Sequence, residues 1–334
     1  MRLSSRLILA AGLVFALQES VILAQSLKGP AIGFIPNAEG TVISPVIGVP
    51  GASALAAPIL LDVNIRAAVV SPKQASAIAV RAEDGQVVVV DLENAAVRPI
   101  ASTLTAPDAI AISPEGSAAA LYDRELSVIQ VIGGFPGAPR VLHDFDASPI
   151  PGRAAGMAVS DDGALVLVRS AGDDGSAELW VIDMTAGLTG VSWRVAVEHP
   201  SAAAFLPGRR DAIVADEATA SAFLLLDVAG AGARMPLISS IDGVSSFSSV
   251  ASSQDGRRVV LAENGSGAVV IVGRDGGVPV ILSCQCRPTG LYPMGDSLFR
   301  LTEVSGGLVT VLDLSRKQPQ TFVIPPYVSM AQVQ

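Results

Sequence analysis

Between Ala106 and Leu142 four short apolar runs alternate with polar turns, in the order APDAIAI, SAAALY, LSVIQVI and PRVL. The first run ends in the tight turn Ser113-Pro114-Glu115-Gly116, and a polar loop, Tyr122 to Leu126, separates the second run from the third. Short runs rich in Val, Ile, Leu and Ala, bounded by Gly, Pro and Asp, predict strands rather than helices. The same succession of strand, turn, strand, acidic loop, strand, turn and strand recurs along the chain. Its first turns begin at Ser71, Ser113, Ser160, Leu206, Ser253 and Pro293, which lie 42, 47, 46, 47 and 40 residues apart. Four strands repeated at about 40 to 50 residues are the signature of propeller blades.

Runs such as Gln86 to Leu92 (QVVVVDL) are apolar on consecutive positions, so both faces of each sheet must be covered. One blade cannot do this alone, and neighbours packed around an axis can. The pattern therefore predicts an all-β fold, a β-propeller of four-stranded blades. Six full units begin near Ala67, Asp108, Ala154, Pro200, Phe247 and Pro288. Ahead of them Ala31 to Gly48 reads as the second half of a blade, two strands around Asn37-Ala38-Glu39-Gly40, and Val49 to Asn64 carries no clear element. After Ile324, Pro325-Pro326 breaks the pattern and Tyr327 to Val333 has the makings of one more strand. The favoured reading is a seven-bladed ring over 31–334, its N-terminal half-blade (31–48) closed by the C-terminal tail (326–334). Six blades with an N-terminal hairpin is the alternative.

Half of the residues are apolar and only 4% aromatic, which leaves the core to Val, Ile, Leu and Ala. A net charge of −9 argues against nucleic acid, whose phosphates require a basic face. Residues 1–24 have the layout of a signal peptide: Arg2 and Arg6, the apolar stretch Leu7 to Leu17, then Val21-Ile22-Leu23-Ala24 before a cut near Ala24. That stretch falls short of the roughly 20 apolar residues that span a bilayer. The expected product is a secreted or periplasmic monomer with no membrane span after cleavage.

Val181-Ile182-Asp183, Leu225-Leu226-Asp227 and Val311-Leu312-Asp313, taken with the first turns, resemble the YVTN-type repeat of bacterial β-propellers, in the wider WD40-like group. The resemblance covers about residues 67 to 325. It implies a propeller of the bacterial surface or periplasm. The YVTN tetrapeptide and the Trp-Asp ending of WD40 blades do not occur.

Candidate chemistry is sparse. The loops between second and third strands carry Glu83 and Asp84, Asp123 and Glu125, Asp173 and Asp174, Asp216 and Glu217, Glu263, and Glu303. On a propeller these loops share one rim, so the carboxylates would form an acidic face for a basic protein, a small ligand or Ca²⁺. The simpler account is that Asp and Glu suit polar turns. Arg81, Arg124, Arg169 and Arg300 lie close enough to neutralise part of that charge. Arg209-Arg210 and Arg257-Arg258 follow first turns, on the opposite face, which would make the two faces differ in sign. Cys284 and Cys286 invite a disulfide in an oxidising compartment, with inert thiols or metal chemistry as alternatives. Nothing in the sequence brings a particular Ser to His143 or His199 as a nucleophile. Asp173-Asp174-Gly175 lacks EF-hand spacing, and Asn264-Gly265-Ser266 fits a glycosylation sequon. These features predict a binding or scaffold module with no catalytic residues and no required cofactor. The competing class is a metal-dependent lactonase- or hydrolase-like propeller, which would need inward-facing carboxylates or histidines.

Overall fold

A computed structural model describes residues 30–187, 191–230, 232–239, 247–263, 265–304 and 307–327. The signal peptide expected at 1–24 and the tail 328–334 lie outside these residues. The described chain forms 27 strands in seven antiparallel sheets and one short 3-10 turn, Met184–Ala186. Six sheets have four strands in simple meander order and one has three. They make a seven-bladed β-propeller.

In each complete blade the strands run outward from the axis. The second blade shows the plan: β4 (Ile65–Val70) is innermost, followed by β5 (Ser76–Arg81), β6 (Val87–Asp91) and β7 (Val97–Pro99). The innermost strands of the next five blades are β8 (Ala109–Ile112), β12 (Arg153–Val159), β16 (Pro200–Phe205), β20 (Ser249–Ser252) and β24 (Tyr292–Pro293).

The first turns owe their recurring Ser to a local bond. Ser113, Ser160 and Ser253 are buried, and each Oγ accepts a backbone N–H from the start of the following strand, at Ala118, Leu165 and Arg258. Gly116, Gly163 and Gly256 close these turns at φ between 65° and 71°, where a side chain would be strained. The aspartates ending the third strands have a similar duty. Asp91, Asp183 and Asp313 accept N–H groups two residues on, at Glu93, Thr185 and Ser315, and so cap the outer turns.

The core is divided among the blade interfaces. Seven clusters of buried apolar side chains occur among the described residues, one between each pair of neighbours. Alternate residues of one strand serve different interfaces. In β13 (Leu165–Ala171), Val166 and Val168 meet the third blade, while Leu165 and Leu167 meet the fifth. This division accounts for the unbroken apolar runs in the sequence.

The first blade departs from the expected plan. Strands β1 (Ala31–Pro36), β2 (Ile43–Val49) and β3 (Ala52–Leu55) form its sheet. β1 packs beside β4 as the second strands of the fourth and fifth blades pack beside β16 and β20. The hairpin Ala31 to Gly48 thus supplies the second and third strands, and the outer strand lies within the stretch that carries no clear sequence pattern. No described residue fills the innermost position. The closing strand expected from 326–334 falls beyond Tyr327 and outside the described residues.

Neighbouring groups secure this blade in other ways. The N–H of Phe34 in β1 donates to the Gln74 side chain, whose amide donates in turn to the carbonyl of Pro293 at 3.0 Å. One glutamine therefore links the first, second and seventh blades. Gly295 N–H donates to the Pro72 carbonyl at 2.9 Å, and Leu55 N–H to that of Pro325 at 3.3 Å. Replacing Gln74 with Leu should destabilise the ring by about 1–3 kcal/mol, because Phe34 N–H is left without its partner. A urea midpoint equal to that of the parent chain would show that this link contributes nothing to closure.

Candidate functional site

The two faces of the ring differ in construction. One carries the first turns and is tied from blade to blade. Lys73 pairs with Glu115 at 2.5 Å, and the Asp161 carboxylate accepts both Glu115 N–H and Gly208 N–H at 2.7 Å. Gln254 of the sixth blade reaches across the axis and donates to the carbonyl of Pro114 in the third, at 3.3 Å. The arginine pairs expected to give this face a net positive sign do not stand free. Arg210 is bound to Asp162 of the adjacent blade at 2.7 Å, and Arg258 donates to the Leu314 carbonyl. Arg209 and Arg257 lie 4.0 and 3.9 Å from Asp211 and Asp255 of their own turns. Of the four arginines only Arg210 is held by an acid of a neighbouring blade among the described residues.

The other face carries the loops between second and third strands, with every predicted carboxylate. The sheet meander places Glu83, Asp84, Asp123, Glu125, Asp173, Asp174, Asp216, Glu217, Glu263 and Glu303 there, but much of their bonding is local. Asp84 is paired with Arg81 and accepts from Gln86 N–H; Glu83 accepts from Asn64 at 3.0 Å. Asp123 accepts from Leu126 N–H. Ser176, by its hydroxyl and then its N–H, holds the Asp174 carboxyl below the usual carboxylate range. Asp216 is buried and accepts from His199 and Ala218, while Glu217 stands 3.2 Å from His199 Nδ1. Glu263 is buried and accepts from Gly265 and Ser266. Glu125 and Asp173 are exposed.

Along the axis runs a cavity of about 540 Å³. Its walls are small and apolar, drawn from the innermost strands: Val69, Ile110, Ala158, Ala204 and Val250 among them. Its charged lining residues are Glu39, Asp108, Arg300 and Glu303, and all four belong to the loop face. At the opposite end Pro72, Pro114, Pro207 and Gln254 line it. Glu39 and Asp108 are members of this mouth that lie outside the loops singled out in the sequence. Glu39 sits in the first hairpin, which occupies second and third positions, so its turn joins the same rim.

Arg300, Glu303 and Tyr292 form one cluster at the mouth. The buried Arg300 guanidinium lies 4.0 Å from the Tyr292 ring centroid and 2.5 Å from the Glu303 carboxylate. Burial, then the hydrogen bond to Glu303, pushes the Tyr292 phenol above its ordinary value near 10. A phenol whose value is raised in the folded state contributes stability that is complete below about pH 10 and lost as pH climbs through the folded value. A difference titration of the parent against Tyr292→Phe, by phenolate absorbance, should show ionisation above pH 10. Ionisation at or below 10 would contradict this environment.

Cys284 and Cys286 are disulfide-bonded, their Cα atoms 5.1 Å apart. The bridge packs on the middle loop of the sixth blade, where Cys284 N–H donates to the Gly267 carbonyl. A Cβ at Gly267 would come within 2.3 Å of Cys286 O, so this approach requires glycine. The closed loop is minimal, and reduction should lower stability by less than about 2 kcal/mol. Parallel urea melts with and without reductant check this, with thiol titration confirming the redox state.

His143 lies on an outer strand, β11 (Arg140–Asp146), away from the axial cavity. The described cavity lining holds neither His nor Cys. No three His, Cys, Asp or Glu among the described residues come together as a metal-binding group. The sequon's Asn264 lies outside the described residues.

No family model matches the chain, and no curated protein matches it. Among solved structures it is similar to a chain of Kuenenia stuttgartiensis hydrazine synthase, with a TM-score of 0.51 and 16% identity over 92% of this chain and 99% of that one. It is also similar to the WD40 repeats of RRP9, at TM-score 0.52 and 14% identity, covering 88% and 86%. At such identities the likeness is one of fold alone, that of a WD40-like propeller.

Proposed function

We propose that this chain is an exported binding or scaffold propeller of the YVTN type, working as a monomer, with the loop face and axial mouth as its ligand face. The observation that carries this reading is the one-sided arrangement of the axial cavity. Its turn-face end is bridged by Gln254 and the inter-blade bonds, whereas its charged lining groups gather at the loop-face end. Rigid blades holding variable loops at fixed spacing suit recognition. The walls offer small apolar groups, a lining suited to holding a ligand. Export rests on the leader at 1–24. Among the described residues no helix is long and apolar enough to cross a membrane.

Glu125 and Asp173 are exposed on the loop face and Glu39 and Asp108 line the axial mouth, and these are the carboxylates that a basic protein partner would meet. Changing all four to Asn or Gln should abolish capture of that partner from an envelope fraction. The matched change of Lys73, Arg209 and Arg257 to Gln on the turn face should leave capture intact. Equal capture by both variants would overturn the assignment of the ligand face. Melting the parent chain in millimolar Ca²⁺ tests the cation as an alternative occupant, which predicts a rise in melting temperature.

A further inference from the structure

Two arginines line cavities on the loop face, and of these only Arg300 forms an ion pair among the described residues. Arg300 is answered by Glu303. Arg169, at the loop end of β13, is half-buried, and its hydrogen bond runs from Nη2 to the carbonyl of Ala155, at 2.9 Å. Ala155 is the extra residue of a bulge between Ala154 and Gly156, and the bulge turns that carbonyl toward the guanidinium. Gly156 pairs with Arg169 across the sheet, and a Cβ there would lie 3.6 Å from Arg169 Nε, so the missing side chain keeps the space over the guanidinium open. Burial works against the Arg169 charge, and the carboxylate of Glu217 offsets this in part. Glu217 itself stands beside His199.

The space in question is a cavity of about 170 Å³ between the fourth, fifth and sixth blades. Ser201, Ser248 and Ser249 line it with Arg169. Ser201 and Ser248 donate long bonds to strand carbonyls, 3.4 Å to Ala215 and 3.2 Å to Ala262, which a stronger acceptor could take over. Ser249 Oγ accepts from Leu291 N–H and keeps its own proton to give. Met157, Ala158, Ala203 and Val250 line both this cavity and the axial one, so the two are neighbours sharing a wall. A guanidinium fork with three hydroxyls is a donor set for an oxyanion, and the greasy axial cavity beside it suits a hydrocarbon.

We propose that the Arg169 cavity seats the oxyanion head, carboxylate or phosphate, of a small amphiphilic ligand whose apolar body lies in the axial cavity. The proposal rests on the loop face being the ligand face, and it adds a small-molecule subsite on the side of the mouth away from Arg300 and Glu303. Calorimetric titration of the whole mature chain with octanoate, octyl phosphate, octanamide and octylamine tests it. Either or both anions should bind, the pair distinguishing carboxylate from phosphate, with the amide and amine at least about tenfold weaker. Arg169→Met should erase that preference and Arg169→Lys should keep part of it, with unchanged melting curves for both. Should Arg169→Met fail to fold, the Ser201→Ala/Ser249→Ala pair should still weaken anion binding. Octylamine binding as tightly as octanoate, anion binding unaffected by these variants, or no binding of either anion overturns the proposal. Such a failure leaves protein capture by the acidic rim intact, whereas loss of capture specificity alone would overturn the broader reading.

Discussion

Each blade of this protein has two apolar faces and no way to cover either by itself. That constraint determines the rest of the structure. Seven clusters of Val, Ile, Leu and Ala fill the seven interfaces between neighbouring sheets, with few aromatic residues to help. The closest packing therefore depends on many small branched side chains lying in register, and a missing sheet would expose two interfaces at once. Ring closure is the condition under which the last pair of faces leaves water. Here it falls on the first blade, whose β1 edge is met by Gln74 and whose flanks are covered by the second and seventh blades.

Closure and recognition are separated in space. The turn face is a belt of bonds that cross from blade to blade, through Asp161, Asp162, Lys73, Gln74 and Gln254. Among the described residues, the loop-face carboxylates bond mostly within their own loops. That arrangement lets loops change sequence without loosening the ring. It also explains why a row of carboxylates on one rim is only partly a surface for partners: Asp216 and Glu263 are buried loop caps, while Glu125 and Asp173 are exposed to solvent.

The period of the turns and the apolar runs made the blades legible in the sequence, because a strand's face alternation and a Ser–Gly turn are local properties. The outer strand Ala52–Leu55 was not legible, since four residues of Ala, Ser and Leu carry almost no periodic signal and owe their conformation to pairing with β2. The acidic loops could be placed on one rim from topology alone. Which of their carboxylates bond inward depends on loop geometry, and no composition reveals it. Arg169 was visible only as one of four arginines near acidic loops. Its difference from Arg81 and Arg300 lies in what faces it: those two pair with acids three residues away, and Arg169 meets a bulged carbonyl and an open space. The cavity arises where three blades meet, and a linear reading cannot assemble it.

The bond from Gln254 to Pro114 acts as a strut along a diameter. A hoop braced this way at one rim resists dilation there, and any widening must take the form of flaring at the unbraced rim. Swelling by an oversized guest would thus open the third and sixth blades like the jaws of a collet, pivoting near that strut. Cutting the strut would leave the inter-blade belt through Asp161, Asp162 and Lys73 to hold that rim alone.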